Sequence, residues 1–464
     1  MNFKTFVKNF FARTFESLKM KDSSAIAIND LLSPPEAVRG MTKWQPELFE
    51  KVVKLPHVET PAHNISVKKA GKVLQGLKLK IPNFKPIQDC SSNKENKIVV
   101  LDPAAFETLS GEDKDTLVKD YNCSFGESTY TLTYANYPSS KSLEAILPKG
   151  SETLSSSTIV GHITYVNLNH DYLMQYKEII GQLILNTTKA ELVVTKTNSI
   201  ENKFRNLDLE ILAGDPKLGF EVTVKENGCS FKLDFSKVYW NPRLSTEHQR
   251  IVDMVNHGDT VFDVFGGVGP FSVPIGVKGK LTKKQPIPIY VHANDLNPSS
   301  FEYLQKNVIL NKIKDHFHSY NLDGGEFIRT VVKKGIEEYY ENQENKGQIH
   351  ILMNLPALAT TFLGNFCGLI SQEQCAKWNS LPNKKLPYVH VYAFSKDDDK
   401  DTDLTKECCD QLSVEEIADL KLNFVRDVGP KKDMYRVTFP LTLEILSKEV
   451  DDNGQDRKRI KLSE

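Results

Sequence analysis

No apolar run in the chain is long enough to span a bilayer, so no membrane-crossing helix is expected. Net charge is also missing: 59 Lys and Arg stand against 60 Asp and Glu, leaving −1 at pH 7. Nucleic-acid binding is therefore not announced by bulk charge and needs a local basic face. Cysteines are few and odd in number, seven in all, with no CxxC pair and no His/Cys cluster at zinc spacing. That argues against a disulfide framework, fits a reducing compartment and predicts no structural metal. What remains is an ordinary globular composition, 40% hydrophobic and 26% charged, over 464 residues. Such a length allows two or three domains, each with its own core.

The first twenty residues, MNFKTFVKNFFARTFESLKM, depart from this evenness. Phe3, Val7, Phe10, Thr14 and Leu18 recur at helical spacing, with Lys4, Lys8, Arg13 and Lys19 against a single acid, Glu16. An amphipathic, basic, acid-poor segment has the form of a mitochondrial presequence, although it is poor in Arg. At the other end, Arg457-Lys458-Arg459 reads either as a nuclear signal or as a solvated basic tail. Between them the sequence suggests a targeting segment and linker (1–33), an N-terminal domain (34–150), a small α/β module (151–237), an alternating α/β domain (238–446) and a charged tail (447–464). Within 238–446, strands are expected at DTVFDVF, PIYVHANDL, HFHSYNLDG, GQIHILMNLP, YVHVYAFS and MYRVTFPLT, separated by segments of helical length. This alternation predicts a Rossmann-like, doubly wound, mainly parallel sheet with its ligand site at the carboxyl ends of the strands. FEVTVKENGCSFKLDF reads as a hairpin turning on Asn227-Gly228. SKDDDKDTDLTKECCD reads as a charged surface loop.

The segment VFDVFGGVGPFSVPIG (261–276) carries one acid, Asp263, and then breaks into Gly266, Gly267 and Gly269. Glycines there remove side-chain bulk where a strand turns into a helix, and a cofactor can then approach the backbone. A lone glycine-rich turn is a weak motif. Its GGxG spacing is not the dinucleotide GxGxxG, and Pro270 removes an amide donor where the helix is expected to open. The next strands decide more. They close in Asp295, in Asp323-Gly324 and in Asn354-Leu355-Pro356, and Asp295 is placed to accept both hydroxyls of a ribose. Polar groups closing four successive strands indicate a nucleoside cofactor without a pyrophosphate, which is S-adenosylmethionine.

Taken together, VYWNPRLSTEHQRI (238–251), DVFGGVGPFSVPI (263–275), NDLNP (294–298), NLDG (321–324), MNLPALATTFL (353–363), KFRNLDLEILAG (203–214) and PPEAVRGM (34–41) resemble the tRNA guanine-37 N1-methyltransferases of archaea and eukaryotes. The resemblance covers about residues 30–446. It implies methyl transfer from S-adenosylmethionine to N1 of the guanosine 3′ of the anticodon, in cytoplasmic and mitochondrial tRNAs, and the first step toward wybutosine in tRNA for phenylalanine. It also implies a monomer acting on tRNA in the mitochondrial matrix, nucleus and cytoplasm.

Guanine N1 must lose its proton as the methyl arrives, so a nearby carboxylate is wanted. Resemblance makes Glu247 the general base, while the residues alone read it as a first-turn helix acid that suits the helix dipole. It makes Arg243, Asn354 and Arg205 the groups that orient guanine and stabilise charge on O6. It places cofactor contacts on His248, Asp295, Leu296, Asp323, Gly324 and Asn354, with Asp263 and Gly267 near the methionine portion. Tyr239 supports the base, stacks on RNA or packs as a strand tyrosine. Lys278, Lys280, Lys283 and Lys284, in the insertion VKGKLTKKQPIP, are phosphate contacts or a solvated loop. Two other readings stand beside this one: an aminocarboxypropyl transferase of the wybutosine pathway, and a non-catalytic tRNA-binding module.

Overall fold

The computed structural model describes residues 30–152, 154, 157–168, 170–197, 208–342, 347–382, 385–429 and 431–449. The expected presequence, Arg205 and the basic tail lie outside the described residues. The chain divides into two compact units, Met1–Lys196 with Glu210–Lys217, and Thr197–Leu209 with Leu218–Glu464.

The first unit holds two four-stranded sheets. One has the order β2-β3-β1-β4 and is antiparallel, built from β1 (Lys51–Pro61), β2 (Ile87–Asp89), β3 (Asn96–Val100) and β4 (Ser124–Leu132). The other runs β5-β6-β7-β8, from β5 (Ser157–Val160), β6 (Ile163–Val166), β7 (Leu192–Lys196) and β8 (Leu209–Gly214). Helix α1 (Lys177–Thr187) buries Ile179, Ile180, Leu183 and Ile184 in one core with Leu31, Phe49, Tyr137 and Val166. Burying each such side chain contributes about 1.5–3 kcal/mol. This shared core is why the segment 151–237, expected as a module of its own, is divided here. Its strands β6–β8 pack with residues 31–147, while the hairpin that follows belongs to the second unit.

That hairpin joins β9 (Glu221–Glu226) to β10 (Cys229–Asp234), and its turn residues Asn227 and Gly228 have φ of 47° and 76° as the Asn-Gly signal requires. Helix α2 (Ser245–Met254) follows. The seven-stranded sheet then assembles from β11 (Thr260–Asp263), β12 (Tyr290–Asn294), β13 (Phe317–Tyr320), β14 (Ile349–Met353), β15 (Tyr388–Ser395), β16 (Lys421–Gly429) and β17 (Lys432–Pro440). Its order is β13-β12-β11-β14-β15-β17-β16; β13 through β15 are parallel, and the β16–β17 hairpin is antiparallel. The doubly wound architecture is thus as expected, with its switch point between β11 and β14, where such sheets bind ligands.

Two expectations change. SKDDDKDTDLTKECCD is not a loop: Asp399 caps helix α3 (Lys400–Leu412), its side chain accepting from the Thr402 amide. Leu404, Cys408, Cys409 and Leu412 are buried at helical spacing beneath the charged face. The edge strand β16 was not expected either. Among the described residues no helix is long and apolar enough to cross a membrane, and no group of three or more His, Cys, Asp or Glu is placed to hold a metal. All seven cysteines are free thiols.

Candidate active site

The carboxyl ends of the central strands are tied together by an amide the sequence did not single out. Asn294, wholly buried at the end of β12, donates to Val264 O (3.1 Å) and Leu322 O (3.0 Å) and accepts from Leu322 N–H (2.8 Å). One side chain therefore fixes the ends of β11, β12 and β13 relative to one another. Beside it, Asp295 Oδ2 accepts from the Gly267 amide and Oδ1 from the Asn297 amide, both at 2.9 Å. These two bonds orient the Asp295 carboxylate at the carboxyl end of β12. Gly267 has φ +56°, and a Cβ there would meet nothing within 4 Å. Its amide is committed to Asp295, so what it offers a ligand is open space rather than a donor. Leu296 is half-buried, and its carbonyl accepts from Asn321 Nδ2 at 3.0 Å. Asp323 is exposed and caps a short helix through the Gly325 amide (2.9 Å). At Gly324 a Cβ would stand 2.7 Å from the Phe265 ring, so the chain passes that aromatic face only without a side chain. Pro270 lies two residues before the next helix, Ser272–Lys278, rather than opening it.

Asp263 is the most perturbed acid of the site. It is fully buried, and neither carboxylate oxygen has a hydrogen-bond partner among the described residues. Burial pushes its pKa up to about 7; Ser272 nearby, without well-formed hydrogen-bond geometry, offsets part of the rise, and the charge of Asp295 adds to it. A buried carboxyl without a partner is costly unless something cationic reaches it. An ammonium or sulfonium fits that demand, so Asp263, Asp295 and the open space at Gly267 together suit S-adenosylmethionine.

Glu247 sits in the first turn of α2, 3% exposed. Its Oε1 accepts from Tyr392 OH (3.0 Å) and Arg436 Nη1 (2.5 Å), and among the described residues its Oε2 accepts only from Arg250 Nη1 (3.2 Å), whose side chain is 54% exposed. Arg436 also donates to Asn423 Oδ1 at 3.1 Å. Burial holds the Tyr392 hydroxyl far above the usual phenol range, with the Glu247 charge adding to the effect, so it acts as a donor and not a base. Next to Glu247, buried His248 contacts Glu226 Oε1 through Nδ1 at 2.5 Å, and its Nε2 has no partner among the described residues. Glu226, Tyr392 and Arg436 were missed because they come from distant strands, and nothing local marks them.

Asn354, at the end of β14, has its Oδ1 buried without a partner among the described residues. It lines a pocket with Tyr239, Asn241, Leu244, Pro356, Phe394, Arg426, Val428 and Met434, about 410 Å³ of free space including its open mouth. Tyr239 is 46% exposed at this mouth, so the packed-strand reading of it is set aside. Arg243 is exposed in the turn Pro242–Leu244 and does not line the pocket. Of the four lysines in the insertion, Lys278 is a structural cap: its Nζ donates to the carbonyls of Val252 (2.7 Å) and Val255 (2.6 Å) at the end of α2. Lys280 similarly donates to Asn311 O at 2.7 Å. Carbonyls orphaned at helix ends attract such cations, and the two lysines are thereby withdrawn from phosphate binding. Lys283 and Lys284 remain exposed.

A doubly wound sheet with strand-end acids, a glycine turn lacking the dinucleotide spacing and an uncompensated carboxyl for a cationic ligand defines an S-adenosylmethionine-dependent methyltransferase. Residues 222–386 match the family model of the TRM5/TYW2 methyltransferase domain, and residues 140–217 that of the TYW2 N-terminal domain. The chain is 37% identical over 440 residues to the tRNA (guanine(37)-N(1))-methyltransferase of Xenopus tropicalis, covering 93% of this chain and 84% of that protein. With the Drosophila melanogaster enzyme of the same name it shares 38% over 463 residues, 96% and 93% of the two chains. The chain belongs to the tRNA (guanine(37)-N(1))-methyltransferase family. In fold it is similar to aTrm5, solved in complex with tRNALeu (TM-score 0.56, 21% identity, 84% of this chain and 100% of that one). Trm5b from Pyrococcus abyssi is comparable, at TM-score 0.54 and 22% identity over 84% of this chain and 99% of that one.

Proposed function

We propose that this chain methylates N1 of guanosine 37 in tRNA, with S-adenosylmethionine as donor. The observation that carries the reading is Asn354, whose buried, unpartnered Oδ1 lines a pocket at the end of β14, beside the switch point. An acceptor there suits the 2-amino donor of guanine, a group that adenine lacks, and leaves the N1–H for the base. Bound S-adenosylmethionine supplies an electrophilic methyl on a sulfonium, held by Asp263, Asp295 and the strand-end residues Leu296, Asp323 and Gly324.

Glu247 takes the N1 proton. Its Oε1 is occupied by Tyr392 and Arg436, so the accepting oxygen is Oε2, which carries only the exposed Arg250. As the N1–methyl bond forms, the methyl–sulfur bond breaks, the proton moves to Oε2, and charge that would gather on O6 needs a donor. Asn354 Nδ2 suits that role. The target base must leave its stack in the anticodon loop to reach such a pocket. The first unit engages the tRNA away from the reacting base. The protein acts as a monomer, on mitochondrial as well as cytoplasmic tRNA, and in tRNA for phenylalanine the product feeds wybutosine synthesis.

The test is a tRNA transcript carrying guanosine at position 37 beside one carrying adenosine there. Methylation of the first and not the second is expected, read by nucleoside mass analysis. A product bearing an aminocarboxypropyl group instead would favour the aminocarboxypropyl transferase reading over this one. Fusing residues 1–30 to a fluorescent reporter checks the mitochondrial part; a reporter that stays out of mitochondria removes it.

A further inference from the structure

The pocket wall facing Asn354 comes from the antiparallel end of the sheet, and its construction selects one residue. In the β15–β17 ladder Phe394 pairs with Met434 and Tyr392 with Arg436; in the β17–β16 ladder Arg436 pairs with Asn423. Directly paired residues share a face, so this face carries Tyr392, Arg436 and Asn423 in one row and Phe394 and Met434 in the next. Continuing the β16 register would set Val425 opposite Met434. Instead the register shifts between Phe424 and Arg426, and Arg426 takes that place. A bulge of this kind re-aims a side chain, and bulges gather next to active sites. Arg426 thereby joins Phe394, Met434 and Asn354 in lining the pocket. Its Nε donates to Asp427 O at 3.0 Å, while Nη1 and Nη2 have no hydrogen-bond partner among the described residues.

We infer that Arg426 reads the target base, its guanidinium forking onto O6 and N7 of guanine while Asn354 Oδ1 accepts from the donor edge. This rests on the guanosine reading above and deepens it by naming the cation that Arg243 does not provide within the pocket. The fork is the commonest specific contact to guanine, and adenine would turn its 6-amino donor toward the same cation. A cation on O6 also favours loss of the N1 proton, because the charge left behind gathers there.

The experiment measures single-turnover methylation and tRNA affinity for wild type, Arg426→Ala and Arg426→Lys. Each is assayed with a tRNA carrying guanosine 37 and one carrying 7-deazaguanosine 37, which lacks the N7 acceptor. Melting temperature and S-adenosylmethionine affinity report folding. Arg426→Ala should slow guanosine-37 methylation about 5- to 150-fold, the discrimination of one bidentate pair. Arg426→Lys should recover little of it, since an ammonium cannot fork. The 7-deaza substitution should slow the wild type and add almost nothing to Arg426→Ala. If 7-deazaguanosine costs both proteins equally, Arg426 does not touch N7 and the inference fails. Full rescue by lysine, with the salt dependence of tRNA binding in Arg426→Ala reduced by about one charge, would make Arg426 a phosphate contact and also overturn it. A wild type inactive on guanosine 37 defeats the proposed function instead, so the two failures are distinguishable.

Discussion

The Arg436 guanidinium holds the Glu247 carboxylate at 2.5 Å across 189 positions of sequence, and both groups are buried. Such a pair contributes little net stability, but removing one partner leaves an uncompensated buried charge, at a cost of about 3–5 kcal/mol. Arg436→Met should therefore lower the melting temperature sharply, whereas Arg436→Met with Glu247→Gln should recover part of the loss, because no charge is then left alone. Methylation should stay low in both. An Arg436→Met protein as stable as wild type would show that the pair is not closed in solution.

Glu247→Gln keeps the shape and the Tyr392 hydrogen bond while removing the proton acceptor. Single-turnover methylation should fall about 10²- to 10⁴-fold, the usual contribution of a positioned base. Cofactor affinity should be nearly unchanged, because the carboxylate is not assigned to the donor. Unaltered methylation would strip Glu247 of the base role and leave it a purely structural anion for Arg436.

Asp263 yields a prediction with a definite pH sign. Its folded pKa, about 7, lies above its value in the unfolded chain, so the folded state binds the extra proton. Without ligand, stability should be greatest below pH 4 as far as this group is concerned, fall between about pH 4 and 7, and level off above, since the unfolded chain binds fewer protons across that window. Asp263→Asn should flatten this slope and raise the melting temperature of the ligand-free protein at pH 8. A cationic ligand favours the ionised acid, so wild-type S-adenosylmethionine affinity should rise from pH 6 to 8 with proton release. Calorimetry in two buffers of different ionisation enthalpy measures that release, and finding none in the wild type would refute the assignment.

The parallel part of the sheet was legible because its inner strands β11, β14 and β15 are largely buried on both faces and read as apolar runs, and because four of its five strands close in acids or amides. Asp263, Asp295, Asp323 and Asn354 were found by that closing position. Legibility failed where tertiary context decides. In β16 the bulge at Val425 breaks the period-two pattern, so a strand that builds the pocket wall looked like a connection. In α3 the acidic residues hid a four-residue apolar stripe. Arg436, Tyr392 and Glu226 carry no local mark, since their roles exist only once strands remote in sequence are paired.

The insertion lysines separate by what their ammonium groups touch. Lys278 caps the carbonyl end of α2, so Lys278→Ala should cost stability, on the order of 1 kcal/mol for the lost charged hydrogen bonds, and leave tRNA affinity unchanged. Lys283→Ala with Lys284→Ala should leave stability alone. If either lysine meets phosphate, the double change lowers the slope of log affinity against log salt by about one unit per contact. Titrations of tRNA binding at several salt concentrations measure both, and a tRNA defect in Lys278→Ala at unchanged stability would reverse the assignment.

His248 and Glu226 make the last test, one of coupling. The Glu226 contact fixes Nδ1 and leaves Nε2 as the ring's one open position, 4.6 Å between ring centroids from Phe271. If Nε2 meets the cofactor, Glu226 acts on binding by orienting the ring and does not touch the ligand itself. Glu226→Ala should then weaken S-adenosylmethionine binding and cost about 1–3 kcal/mol of stability, because a buried donor loses its partner. His248→Ala should weaken binding at least as much, and the double variant should be no worse than His248→Ala alone, since groups acting through one contact are not additive. Additive losses of affinity in the double variant would mean that Glu226 and His248 reach the cofactor site by separate routes.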